Sequence, residues 1–229
     1  MSAYSKSKIL TIMLVDIVGY TKLSAKLGRE KFNEIDDTFE KLTLPVFEKY
    51  SGWVIKKLGD SFLVAFDSAT DSLHCAIELQ NGFWEYNETR PNVPLKIKVA
   101  INAGEVIIKG KDIYGEPVNI VARIEKETQP GQIYFSMPVL LSMNRHEIPH
   151  VYVGKRKVKG IDRPLELFRV KGLNEDERRR RRKTLDFIVK LMKFAVWAGV
   201  LSVIGYYGYT YLSNAGYFAD LFDRIKGLF

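Results

Sequence analysis

Two acidic residues stand where a carboxylate is costly. Asp16 follows Ile9–Val15, a near-continuous apolar run, and precedes Ile17-Val18-Gly19. Asp60 lies in Leu58-Gly59-Asp60-Ser61, between two apolar, strand-like pieces. A carboxylate at the end of a buried strand needs a partner. If the first strand lies beside that hairpin, Asp16 and Asp60 face each other. They then repel unless a cation sits between them. Magnesium suits such a place, taking carboxylates and substrate phosphates as ligands. The pair, with a glycine near each, points to a two-metal phosphate site. The alternative is two turn aspartates that cap local backbone amides.

The elements that must position them follow from periodicity. Ile9–Val15 reads as a buried strand, not as a signal peptide, since it is short and has no cleavage pattern. Residues 21–50 carry apolar positions at helical spacing, with Gly28 separating two helices. Trp53–Lys57 and Phe62–Phe66 form a tight hairpin. A helix is expected from about Ala69 to Tyr86. Leu95–Asn102 alternates as a strand, with a turn expected at Ala103-Gly104 and a return over Glu105–Ile108. A helix fits Pro117–Glu127, with proline near its start. Short strands are expected at Ile133–Phe135, Val151–Val153 and Glu166–Val170. This order predicts an α+β, ferredoxin-like (βαββαβ-type) sandwich, with helices over a largely antiparallel sheet.

Three blocks within these elements carry a resemblance. They are Leu14-Val15-Asp16-Ile17-Val18-Gly19-Tyr20-Thr21, Ile55-Lys56-Lys57-Leu58-Gly59-Asp60-Ser61-Phe62, and Asp112-Ile113-Tyr114-Gly115-Glu116-Pro117-Val118-Asn119-Ile120-Val121-Ala122-Arg123. In order and separation they resemble the signature blocks of class III nucleotidyl cyclases, over about residues 8–171. The resemblance implies Asp16, Asp60 and the backbone carbonyl of Ile17 as ligands of two Mg²⁺ or Mn²⁺ ions. It implies Lys56 and Asp112 as readers of the base, Asn119 as the residue that orients the ribose, and Arg123 as the stabiliser of charge at the reacting phosphate. Lys159, in Val158-Lys159-Gly160, resembles the lysine that holds the triphosphate. The usual second lysine is replaced by Ile161. Asn102 stands where relatives often have histidine. The family's site forms between two catalytic domains, so the resemblance implies a homodimer acting on a nucleoside triphosphate.

The chemistry of the residues agrees with that resemblance. Asn119 and Arg123 are four apart, on one face of a helix, although Arg123 could instead pair with Glu127. A lysine can donate to adenine N1 and an aspartate can accept from the 6-amino group, whereas guanine presents the opposite pattern. Lys56–Asp112 therefore points to ATP and an adenylate cyclase. Lys56 and Lys57 are adjacent in a strand, so one must point each way. Relatives that make cyclic pyrimidine nucleotides in antiviral defence share the metal and arginine residues, which leaves a pyrimidine cyclase, and then a guanylate cyclase, as alternatives. Tyr50, Trp53 and Cys75 read as packing residues.

Composition sets the frame. The chain has 229 residues, 46% hydrophobic and 27% charged, which excludes general disorder. A single cysteine excludes a disulfide framework, and three histidines make a zinc site a poor fit. The formal charge is +8, but six of those charges are the unbroken run Arg178–Lys183, without which +2 remains. The body is therefore not a basic nucleic-acid reader, and no nucleic-acid partner is expected. A diguanylate cyclase is excluded by the absence of its Gly-Gly-Asp-Glu-Phe turn. A catalytically silent relative is disfavoured by the intact set of Asp16, Asp60, Asn119, Arg123 and Lys159.

These signals divide the chain into a cyclase domain over 1–172, a charged polybasic linker over 173–193, a transmembrane helix over 194–212 and an amphipathic tail over 213–229. Phe194–Leu212 gives 19 residues without a charge, close to the length of a membrane helix. Trp197 and tyrosines 206, 207, 209 and 211 suit the interfaces, and the basic run places the catalytic domain on the cytoplasmic side of an inner membrane. A buried or dimerising C-terminal helix is the alternative.

Overall fold

The computed structural model describes residues 6–20, 29–91, 94–157, 161, 163–173, 175–214 and 224–225. The chain forms two compact units, 1–175 and 176–229.

The first unit begins with β1 (Lys6–Ile17), α1 (Arg29–Lys49), β2 (Trp53–Leu58), β3 (Ser61–Phe66), α2 (Ala69–Thr89) and β4 (Ile97–Lys109). It continues with β5 (Asp112–Tyr114), α3 (Glu116–Glu127), β6 (Ile133–Ser136), α4 (Met137–Ser142), β7 (His150–Arg156) and β8 (Leu165–Val170). Seven strands lie in the order β2-β3-β1-β4-β6-β8-β7, with β5 pairing to β4. β1 runs antiparallel to both neighbours, β3 and β4, and β2 runs antiparallel to β3. The first four strands are thus two split βαβ units, the ferredoxin-like arrangement.

Strand alternation divides β1 between two cores. Met13, Val15 and Ile17 face α1 and α2, joining Phe39, Phe47, Leu73, Leu79 and Phe83. Leu10, Ile12 and Leu14 face the other way, joining Val121 and Ile124 of α3. Both faces of β1 are buried, which is why its sequence reads as continuous rather than alternating.

The turn expected at Ala103-Gly104 does not exist. β4 runs unbroken through these residues, and the hairpin turns instead at Gly110, where φ is +62°. Gly104 is needed for space: a Cβ there would stand 2.6 Å from Pro117 Cγ, at the start of α3. Asn102 secures the same corner, donating to the Pro117 carbonyl at 3.1 Å and accepting from Ser136 Oγ at 2.6 Å. The six-residue helix α4 was not foreseen from periodicity, being too short to show a helical period. The helix expected before Gly28 lies outside the described residues.

The second unit is helical. A single helix, α5, runs over Glu175–Asn214, so the stretch expected as a linker is helical from Glu175 onward. Phe187–Ser213 within it is long and apolar enough to cross a membrane, with its side chains exposed. The tail expected to be amphipathic lies almost wholly outside the described residues.

Gly104→Ala should lower stability by about 1–3 kcal/mol, the usual penalty of overpacking against a rigid neighbour. Thermal melting of the full chain in detergent, followed by circular dichroism, checks this.

Candidate active site

The site is built on the sheet face that α3 covers. Asp16 is the last residue of β1 on this face, one step beyond Leu14 in the alternation. Its cross-strand partners are Ser61 of β3 and Lys98 of β4. Ser61 Oγ donates to Asp16 Oδ1 at 2.5 Å, and Lys98 Nζ lies 3.5 Å from Asp16 Oδ2. Lys98 also makes a close ion pair with Glu125 of α3. Burial works against the Lys98 charge, but Glu125 and then Asp16 outweigh it and raise its pKa.

Asp60 sits in the β2–β3 turn, beside Gly59 at φ +63°. The Ile17 amide donates to the Asp60 carbonyl at 3.2 Å, which holds the turn against the end of β1. Burial, and next the charge of Asp16, push the Asp60 carboxyl above the ordinary aspartate range. The two carboxylates are therefore electrostatic neighbours.

The lysine register is set by a bulge in β2. Val54 pairs with Val64, but Lys56 pairs with Leu63, so one residue is skipped. Lys56 is thereby turned to the α3 face and Lys57 to the opposite face. Lys56 Nζ lies 2.9 and 2.8 Å from the two Asp112 carboxylate oxygens. That ammonium is the main cause holding the Asp112 carboxyl below its ordinary range. Lys57 instead reaches Asp36 and Glu40 of α1, at 2.6 and 2.8 Å. Its role is to tie α1 to the sheet.

Asn119 and Arg123 lie one turn apart on α3, Asn119 exposed and Arg123 half-buried. Among the described residues, no hydrogen bond or ion pair joins either one to the carboxylates or to the Lys56–Asp112 pair. The alternative pairing of Arg123 with Glu127 is not formed; Glu127 meets Arg156 of β7 at 3.4 Å. Lys159 lies outside the described residues. Cys75 is fully buried, its thiol pushed up to about 12, and is inert packing. Tyr50 donates to Glu78 at 2.7 Å, while Trp53 is 40% exposed, less a packing residue than expected.

Lys98 and Glu125 were missed by reading the sequence. The signal was present: Lys98 interrupts the buried run Ile97–Ile101, and a charge there needs a partner.

The donor set fits a divalent cation. Two neighbouring carboxylates resist joint ionisation, and a lysine ammonium already stands beside one of them. Among the described residues, no group of three or more acidic, histidine or cysteine side chains is placed to hold a metal ion.

The adenylate and guanylate cyclase catalytic domain matches residues 2–172. The chain belongs to that family. It is 32% identical over 165 residues to serine/threonine-protein kinase pkn2 of Myxococcus xanthus, covering 72% of this chain and 20% of that protein. It is 29% identical over 115 residues to an adenylate cyclase of Streptomyces coelicolor, covering 50% of this chain and 29% of that protein. The chain thus spans about a fifth to three-tenths of these curated relatives. Among solved structures it resembles an adenylate/guanylate cyclase/hydrolase from Silicibacter pomeroyi. The TM-score is 0.67 at 27% identity, covering 73% of this chain and 98% of that one. The fold is therefore that of the class III cyclase domain, as the sequence blocks implied.

Asp60→Asn should raise the melting temperature of the metal-free protein while removing turnover. A carboxyl whose folded pKa is raised favours the fold below its unfolded pKa, and that contribution is lost as pH rises through the folded value. The variant escapes this loss. Its advantage over the parent should therefore widen as pH rises above the ordinary aspartate range. Paired melts with and without Mn²⁺ check this, since only the parent should gain strongly from the ion.

Proposed function

We propose that this chain is a membrane-anchored adenylate cyclase, converting ATP to the 3′,5′-cyclic nucleotide and pyrophosphate at sites shared by two copies. The observation that carries this reading is the bulged register of β2. It turns Lys56 to the same sheet face as Asp16 and delivers it to Asp112. A donor and an acceptor held side by side match adenine N1 and its 6-amino group. Guanine presents an acceptor and a donor in the reverse places.

The reaction joins the ribose 3′-oxygen to the α-phosphorus. The bond from that phosphorus to the pyrophosphate oxygen breaks, and the 3′-hydroxyl proton leaves. Mg²⁺ or Mn²⁺ held by Asp16, Asp60 and the Ile17 carbonyl would lower the hydroxyl's pKa and neutralise the phosphates. Asn119 orients the ribose, Arg123 meets the charge that develops on the α-phosphate, and Lys159 holds the triphosphate. Most of the rate enhancement in such a site is positioning and charge stabilisation.

One copy supplies the aspartates to a site and the other copy supplies Asn119 and Arg123. Incubating the purified chain with ATP, GTP, CTP and UTP, each with Mg²⁺ or Mn²⁺, tests the substrate. Cyclic AMP should dominate, and a cyclic pyrimidine product would retain the family while overturning the base assignment. Asp60→Ala and Arg123→Ala should each lose activity by about a hundredfold or more. Mixed, they should recover part of it, since one interface of the mixed dimer rebuilds an intact site.

The anchor is the Phe187–Ser213 segment of α5. The Arg178–Lys183 run before it favours an inner-membrane location with the catalytic domain in the cytoplasm. The full chain should float with lipid vesicles in a density gradient, and a chain lacking residues 184–229 should not.

A further inference from the structure

Lys98 stands between two groups that the shared-site reading assigns to different sites. Across the sheet its ammonium lies 3.5 Å from Asp16 Oδ2, a carboxylate of the site that this copy supplies with metal ligands. On its other side it makes a closer ion pair with Glu125. Glu125 belongs to α3, the helix that carries Asn119 and Arg123 to the second site. All three side chains are largely buried, at 21%, 16% and 14% exposure, so water screens them poorly.

We propose that Lys98 is a positioning residue that couples metal occupancy at Asp16 to the seating of α3, and so links the two sites of the dimer. The inference rests on the shared-site reading given above. Without metal, one ammonium serves two carboxylates. A divalent cation on Asp16 takes over the neutralisation of that carboxylate and repels the ammonium, leaving Glu125 as its partner. The hold on α3 therefore changes when the metal site of the same copy fills. Asn119 and Arg123, which act in the opposite site, ride on that helix.

The test is Mn²⁺ binding without nucleotide, measured by electron paramagnetic resonance on the full chain in lipid nanodiscs. Lys98→Met removes the competing cation and should tighten Mn²⁺ binding by about tenfold. Glu125→Gln leaves the ammonium to Asp16 alone and should weaken binding by a similar factor. Lys98→Arg should stay near the parent. The opposite signs are decisive, because an ion pair with only a structural role would weaken binding in both variants.

Hydrogen exchange supplies the second readout. Mn²⁺ should alter amide exchange over 116–127 in the parent and in Lys98→Arg, but not in Lys98→Met. Unchanged or weaker binding in Lys98→Met, or a metal response of α3 that survives it, overturns the coupling. If Lys98→Met does not fold, the amide exchange of α3 in Glu125→Gln decides: loss of its Mn²⁺ response supports the proposal, and a response that survives overturns it. Asp16→Asn separates the two readings. Lost Mn²⁺ binding there keeps the metal assignment even if the coupling fails, whereas retained binding overturns both.

Discussion

A carboxylate at the end of a strand buried on both faces is the constraint around which this domain is arranged. Asp16 is surrounded by its cross-strand partners, with Ser61 donating on one side and Lys98 on the other. A buried charge left without such partners costs several kcal/mol. Partnering it recruits β3, β4 and, through Glu125, α3. The elements that make the site are held by the same interactions that make its carboxylate tolerable.

The two faces of the sheet differ in character. The α1–α2 side is dominated by aromatic packing, including Phe39 stacked on Phe62 at 5.2 Å. Its ionic cluster, Lys57 with Asp36 and Glu40, is a clamp between helix and sheet. The α3 side carries the polar groups: Asp16, Lys56, Lys98 and Asn102. The bulge in β2 turns two adjacent lysines to these two faces. Without it, Lys56 would share the face of Val54, which packs with α1 and α2.

The C-terminal unit obeys a different solvent rule. Trp197 and tyrosines 206, 207, 209 and 211 are exposed along α5, as are the aliphatic residues between them. Large contiguous apolar surface on a soluble unit marks an interface with a partner or a lipid phase. A helix that satisfies its own backbone hydrogen bonds meets the demands of hydrocarbon without help from neighbours.

Local patterns alone determined a good deal. The buried first strand, the tight hairpin at Gly59, the helices at Ala69 and Pro117 and the apolar C-terminal segment depend on period, turn residues and length, and all are legible in order along the chain. The three motif blocks were legible as a resemblance to the class III cyclases, because each is a run of contiguous residues. Tertiary structure decided what one-dimensional pattern does not encode. Gly104 reads as a turn because glycine permits one, yet it serves as clearance for Pro117 at the start of α3. Lys56 and Lys57 are indistinguishable by type and spacing, and only the bulge orients them. Lys98 becomes the counterion of Asp16 because the β1–β4 register sets them opposite each other, 82 positions apart in the chain. Register is a pairwise property of distant segments, and it decides which charges meet.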